Sequence, residues 1–192
     1  MQHDLTPGMI LLYKPCAIFG WYWRRRQLPS LRACTEIATG LVIGFVCRQP
    51  HSHSVQYIGE DTFVHTRAGC IRGERACDFP PGYLETASLL RPRDPSLFSP
   101  QVRDAFQGAI GRKNLDPTTI PLAALFRLLF WLGIIRRKDW HASYRYTNCI
   151  TFMLLTWKLA GVDLLQGKSM CYVGTYPSDF MEMTSEFEVI RE

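Results

Sequence analysis

The chain has 192 residues, of which 47% are hydrophobic and 20% charged, and a formal net charge of +5. That length suits one domain with a sizeable core, and the composition excludes a disordered or collagen-like polypeptide. The basic excess is concentrated in Arg24-Arg25-Arg26 and Arg136-Arg137-Lys138. Such runs suit solvated faces or attraction to an anionic surface, and no nucleic-acid motif accompanies them, so no nucleic acid is expected as a partner.

Taken in chain order, Thr6-Pro7-Gly8 is turn chemistry leading into a buried strand over Met9 to Tyr13. Residues 14 to 33 read as irregular, aromatic and basic, and Cys34 to Val46 as a helix weakened by Gly40 and Gly44. Ser54 to Ile58 alternates and is rich in β-formers; Gly59-Glu60-Asp61 is a turn; Thr62 to Thr66 is the second strand of a hairpin. Gly69 turns the chain toward Ile71, Pro80-Pro81-Gly82 breaks it, and Thr86 to Leu90 reads as a strand. Ser99-Pro100 predicts a capped helix to about Gly111. Pro121 to Ile135 predicts a strongly apolar helix with a basic end, and Thr147 to Ala160 another, closed by Gly161. The tail from Tyr172 to Ile190 ends in strand-like alternation. The pattern is α+β.

Seven cysteines occur, Cys16, Cys34, Cys47, Cys70, Cys77, Cys149 and Cys171, with no CxxC pair. That argues against a zinc site and against a disulfide framework. No metal or organic cofactor is implied. One cysteine can serve as a nucleophile, and the others are expected to be small buried hydrophobes. Residues 1 to 13 lack a basic segment followed by an apolar one, so no secretory signal is expected. Synthesis in the cytoplasm is expected, with a signal-independent secretion system as one route outward. The apolar stretch Ile120 to Ile135 is interrupted by Arg127 and is short for a membrane span.

Hydrolysis by a cysteine needs a thiolate, a base and a group that orients the base. Cys149 stands just before the apolar run Ile150 to Leu155, in the first turn of a predicted helix. The backbone N–H groups and dipole there favour a thiolate and can help bind an oxyanion. His53 opens the first hairpin strand and His65 ends the second, twelve residues apart. That spacing can bring them side by side across paired strands, one as base and the other orienting it. His51 is a possible substitute for His53. His141 lies in a Trp-Tyr-rich stretch and suits a pocket lining or an exposed loop. Trp21, Tyr22 and Trp23 beside the arginine run suit a sugar or lipid-headgroup clamp, or ordinary packing. The helix from Pro121 to Ile135 suits a core element, a lid, a partner surface, or an interfacial anchor giving membrane-surface contact through 120–138.

These motifs resemble a family. Ser52-His53-Ser54-Val55-Gln56-Tyr57-Ile58-Gly59 is similar to the "SHxxIYIG" strand of circularly permuted NlpC-type papain-like cysteine hydrolases. Thr6 to Tyr13 resembles their opening "PGDILLY", and Asn148-Cys149-Ile150-Thr151-Phe152 their "NCxxF" nucleophile motif. Leu89-Leu90-Arg91-Pro92 and Thr175 to Phe180 match further features, so the resemblance runs from about residue 6 to the end. It implies a permuted papain-like fold: an antiparallel sheet packed against helices, with the nucleophile at a helix N-terminus. It implies one domain over 1–192, with insertions at about 14–49 and 114–141. Cys149, His53 and His65 match a catalytic triad one by one, and the second histidine is a detail of the lecithin:retinol acyltransferase branch. Tyr13 and Asn148 are weaker substrate-binding or oxyanion candidates by the same resemblance. Departures include Met9 for the usual acid after Pro-Gly, the polar Ser54 and Gln56, and Ile150-Thr151 after the nucleophile.

The function implied is cleavage of an amide bond by a cysteine peptidase or amidase, with peptidoglycan stem peptides as substrate. The missing signal would fit an antibacterial effector, which would normally have an immunity or inhibitor protein as partner. The alternative is a lipid-acting thioesterase, phospholipase or acyltransferase using the same three residues, and a third reading is a catalytically silent binding module.

Overall fold

The computed structural model describes residues 5–47, 50–67, 69–113, 129, 132–134, 149–166, 177–183 and 185–191. Among them six strands form one antiparallel sheet: β1 (Ile10–Tyr13), β2 (His53–Gly59), β3 (Thr62–Arg67), β4 (Cys70–Glu74), β5 (Ser88–Pro92) and β6 (Phe187–Arg191). Their spatial order is β4-β3-β2-β1-β5-β6. The helices are α1 (Pro15–Arg25), α2 (Leu31–Cys47), the single turn α3 (Tyr83–Thr86), α4 (Pro100–Ala109) and α5 (Cys149–Leu159). The protein is α+β, with helices on both faces of the sheet.

Strand alternation sorts the apolar residues into two cores. Ile10, Leu12, Ile58, Val64 and Leu90 face α4 and α5. Leu11, Tyr13, Val55, Phe63 and Leu89 face α1 and α2. All four residues of β1 are buried, as a central strand covered on both faces requires. In α5 every side chain from Ile150 to Trp157 is buried, which explains a helix apolar around its whole circumference. Burying each such large side chain is worth roughly 1.5–3 kcal/mol. Gln56 is fully buried in this layer, yet its amide is satisfied. It accepts from the Trp157 indole N–H at 3.1 Å and donates to the Met9 carbonyl at 3.1 Å. A polar residue in a buried strand is thereby turned into a clip between sheet and helix.

Local chemistry accounts for the turns. The hairpin between β2 and β3 closes through Glu60 and Asp61, both with positive φ (52° and 56°). A two-residue loop of that hand matches the twist of the flanking strands. Ser99 caps α4 by accepting from the Val102 N–H, with Pro100 in the first turn.

Several expectations need correction. Residues 14 to 33 are not irregular: α1 occupies most of them, burying Ile18, Trp21 and Tyr22 at helical spacing. Its stop carries no glycine, because Arg26 itself takes the left-handed cap (φ 52°). The next helix starts at Leu31, where the Ser30 hydroxyl accepts from the Ala33 N–H at 3.2 Å. Gly40 is needed inside α2, because a Cβ there would come within 2.7 Å of both Pro15 Cγ and Ser52 Oγ. Thr86 ends the turn of α3, and the strand begins two residues later. The polar segment Cys70–Glu74 pairs with β3 as an additional strand. Cys16, Cys34 and Cys77 are exposed rather than buried. Of the expected helix over 121–135, and of the contact surface over 120–138, all but 129 and 132–134 lie outside the described residues. Among the described residues no helix is long and apolar enough to cross a membrane.

Candidate active site

The two hairpin histidines meet, though not as directly opposed partners. β2 and β3 pair Gln56 with Val64 and Tyr57 with Phe63, a register that sets Val55 rather than His53 across from His65. His53 and His65 are diagonal neighbours on one face, within reach for ring side chains. His53 Nε2 lies 2.9 Å from His65 Nδ1. The line continues one strand further. β4 sets Arg72 opposite His65, which makes Glu74 its diagonal neighbour, and His65 Nε2 lies 3.4 Å from Glu74 Oε2. That contact is longer than an ordinary N–H···O bond, and His65 Nε2 has no hydrogen-bond partner among the described residues. His53, His65 and Glu74 thus form a diagonal across three strands.

Glu74 is held from behind by a closed ring of charges. Arg32 Nη2 reaches Glu74 Oε2 at 2.8 Å, and Arg67 Nη1 reaches Glu74 Oε1 at 3.1 Å. Both arginines also contact Glu36 Oε1, at 3.0 and 3.1 Å. Arg32 and Glu36 come from the inner side of α2, so that helix braces the end of the histidine line. Burial pushes the Glu74 carboxyl up, but the nearby His65 ring and the Arg32 guanidinium outweigh it and bring it down to about 2. An ionised carboxylate can only accept. It favours the His65 proton on Nε2, which turns Nδ1 into the acceptor for an Nε2–H of His53. The remaining His53 nitrogen, Nδ1, is then a lone pair. On its outer side Glu74 borders an open hollow of about 520 Å³ also lined by Arg32, Arg67 and Arg72.

Cys149 supplies the other end. It is the first described residue of α5 and packs half-buried against the core on the α4–α5 side. Its side chain lies in the field of His53 and Ser54, and the buried Ser54 hydroxyl has no other hydrogen-bond partner among the described residues. Burial pushes the thiol up; the charge of His53 and the polar groups of His53 and Ser54 outweigh burial, and the thiol ends below its ordinary value. With Nε2 of His53 engaged by His65, Nδ1 is the nitrogen left to face the sulfur. The polar Ser54 is fully buried beside the nucleophile.

Tyr13 lies against the base. Its ring is stacked on that of His53, with centroids 6.2 Å apart and an interplanar angle of 11°. Burial first, then Tyr83, Glu36 and Glu74, raise its phenol well above the ordinary value, so it stays protonated. Those neighbours sit at the His65–Glu74 end of the network, so this placement supports the His53 ring rather than the carbonyl beside Cys149. His51 stands apart: it is buried before β2 and bridges Ser88 Oγ (3.1 Å) and Ser178 Oγ (3.0 Å). Desolvation, with help from the Lys14 charge, lowers it to about 4. It is a neutral clip between β5 and the 3-10 segment Pro177–Glu182. Trp21 packs inward and donates to Glu85 at 2.7 Å, Tyr22 is buried, and Trp23 is exposed. Asn148 and His141 lie outside the described residues.

Sequence reasoning missed Glu74, Arg32 and Arg67. The Arg32/Glu36 spacing of four on a helix was a readable signal. Glu74 had none, because it lies on a strand too short and polar to stand out. No protein-family model, no curated protein and no solved structure matches this chain.

Proposed function

We propose that this protein is a cysteine hydrolase of the permuted papain-like kind, working through Cys149, His53 and His65. The observation that carries the reading is the succession of neighbours from a lowered thiol through two hydrogen-bonded histidine rings to an ionised carboxylate. Each step has a balanced role. His53 Nδ1 takes the thiol proton, and the sulfur attacks the substrate carbonyl. The tetrahedral adduct collapses, the carbonyl carbon's bond to nitrogen breaks, and Nδ1–H passes its proton to the departing amine. Water, deprotonated by the same nitrogen, then attacks the thioester, and the carbon–sulfur bond breaks to release acid and thiol. Throughout, His65 holds the His53 ring and Glu74 compensates the imidazolium charge.

The substrate class we infer first is an amide, above all in peptidoglycan stem peptides, a reading supported by the motifs around His53 and Cys149. A second reading, hydrolysis or transfer of a lipid acyl group, is favoured by one observation. The outer side of α2, whose inner side braces Glu74, carries exposed apolar residues and no charge. The same acyl-thioester chemistry serves both. Mass spectrometry of the protein incubated separately with muropeptides and with phospholipid vesicles separates them, with Cys149→Ala as control. New peptide fragments absent from the control support the amidase. Fatty acid released from lipid alone supports the second reading, and turnover that survives Cys149→Ala removes both.

A further inference from the structure

The hairpin of α1 and α2 presents a surface that an ordinary solvated face does not. The charged residues of α2 are Arg32 and Glu36, and both are engaged with Glu74 and Arg67 on the inner side. The outer side is left to Leu31 (85% exposed), Leu41, Val42 and Phe45 (86%), with small residues between them. From α1, Phe19 and Trp23 (76%) are exposed one turn apart, and Leu28 (96%) projects from the connecting loop. A 17-residue helix is about 25 Å long, so this is an extended apolar stripe rather than scattered single residues.

Charge says what covers it. Arg24, Arg25 and Arg26 follow Trp23 directly. Arg25 contacts Glu85 at 3.4 Å, whereas Arg24 and Arg26 have no carboxylate within salt-bridge distance among the described residues. Exposed apolar side chains, a tryptophan at the helix end and arginines beside it are the chemistry of an element lying in a membrane interface. We infer that the α1–α2 hairpin docks onto an anionic lipid surface, with Phe45, Val42, Leu31 and Trp23 entering the headgroup–acyl boundary and Arg24 and Arg26 among the phosphates. The orientation has a consequence for the catalytic line. Gly40 in α2 lies against Ser52, next to His53, so a docked α2 would set the bilayer about one helix diameter, roughly 10 Å, from the His53 end of β2.

The docking does not depend on the hydrolase reading, and its test can be run without the thiol. Cys149→Ala protein is floated with phosphatidylcholine vesicles, with and without phosphatidylglycerol. Binding to the anionic vesicles and little to the neutral ones is expected. Arg24→Gln with Arg26→Gln should weaken it by roughly 25-fold, at about five-fold per arginine near an anionic surface. Val42→Ser with Phe45→Ser should weaken it by about ten-fold or more. All four sites are on the surface, and an unchanged alkylation rate of Cys149 in the same variants on the wild-type background shows that the fold holds. Absent binding, equal binding to neutral vesicles, or binding indifferent to both variants overturns the inference. So does a concentration-dependent dimer that Val42→Ser with Phe45→Ser abolishes, because the stripe would then belong between two copies of the chain.

Discussion

Replacing Glu74 by Gln tests the least obvious part of the site. The substitution keeps the shape of the side chain and removes one negative charge from a ring in which two carboxylates balance two guanidiniums. Counting the 3.4 Å and 2.9 Å contacts and the width of the His65 ring, the carboxylate is about 9 Å from the His53 imidazole. At an effective dielectric near 20, a unit charge at that distance is worth about 2 kcal/mol. Losing it disfavours a protonated His53, and with it the thiolate–imidazolium pair, by roughly ten- to thirty-fold. The amide can also turn its NH2 toward His65 Nε2, which reverses both histidine tautomers and puts a proton where the base needs a lone pair. The assay is the rate of Cys149 alkylation by iodoacetamide as a function of pH, read at the level of the Cys149 peptide. Glu74→Gln should slow alkylation near neutrality about ten-fold or more and move the profile toward higher pH. Glu74→Asp, which keeps the charge, should recover part of the loss. An unchanged profile in a folded Glu74→Gln protein would refute the reasoning and leave Glu74 as a purely structural ion-pair partner.

Other consequences concern stability. The unfolded chain protonates His51 near its ordinary 6.5, whereas folded His51 resists until about 4, so the protein should lose up to about 3 kcal/mol as pH falls through that window. Urea unfolding between pH 7 and 4 should show this slope, and His51→Asn should flatten it. Gly40→Val forces branched carbon against Pro15 and Ser52, and a loss of about 2–3 kcal/mol in urea unfolding is expected. Trp157→Phe leaves the fully buried Gln56 carbonyl without its donor, at a cost of about 1–3 kcal/mol. Adding Gln56→Leu should return part of it, because no buried acceptor is then left unpaired.

The legible parts were those whose cause is local. The four-residue apolar β1, the hairpin turn at Glu60-Asp61, the Ser99-Pro100 start of α4 and the apolar run after Cys149 all carry their reasons within a few residues. His53 and Cys149 were singled out as residue types near element ends; His65, expected to end its strand, lies inside β3, which runs on to Arg67. Other features depend on long-range partners. β4 is short, interrupted by Gly73, and exists because β3 offers it a ladder. Glu74 gains its place only through the diagonal register of β2, β3 and β4, which no spacing along the chain encodes. The stop of α1 was hidden because Arg26 takes a conformation usually left to glycine. The inner side of α2 could not be told from its outer side, because apolar residues occur on both: Ala33 and Ile37 face the core beside the inward charges, while Leu31, Leu41, Val42 and Phe45 face outward.

The central claim is that Cys149, activated by His53, forms an acyl-thioester. Its most direct test is an activated acyl ester such as p-nitrophenyl acetate, with intact-mass and peptide mapping over time. One acetyl group should appear on Cys149 and then disappear by hydrolysis, and His53→Ala should slow its formation about a hundred-fold or more. Acetylation spread evenly over the exposed Cys16, Cys34 and Cys77, or a Cys149 adduct that forms as fast without His53, would contradict the account.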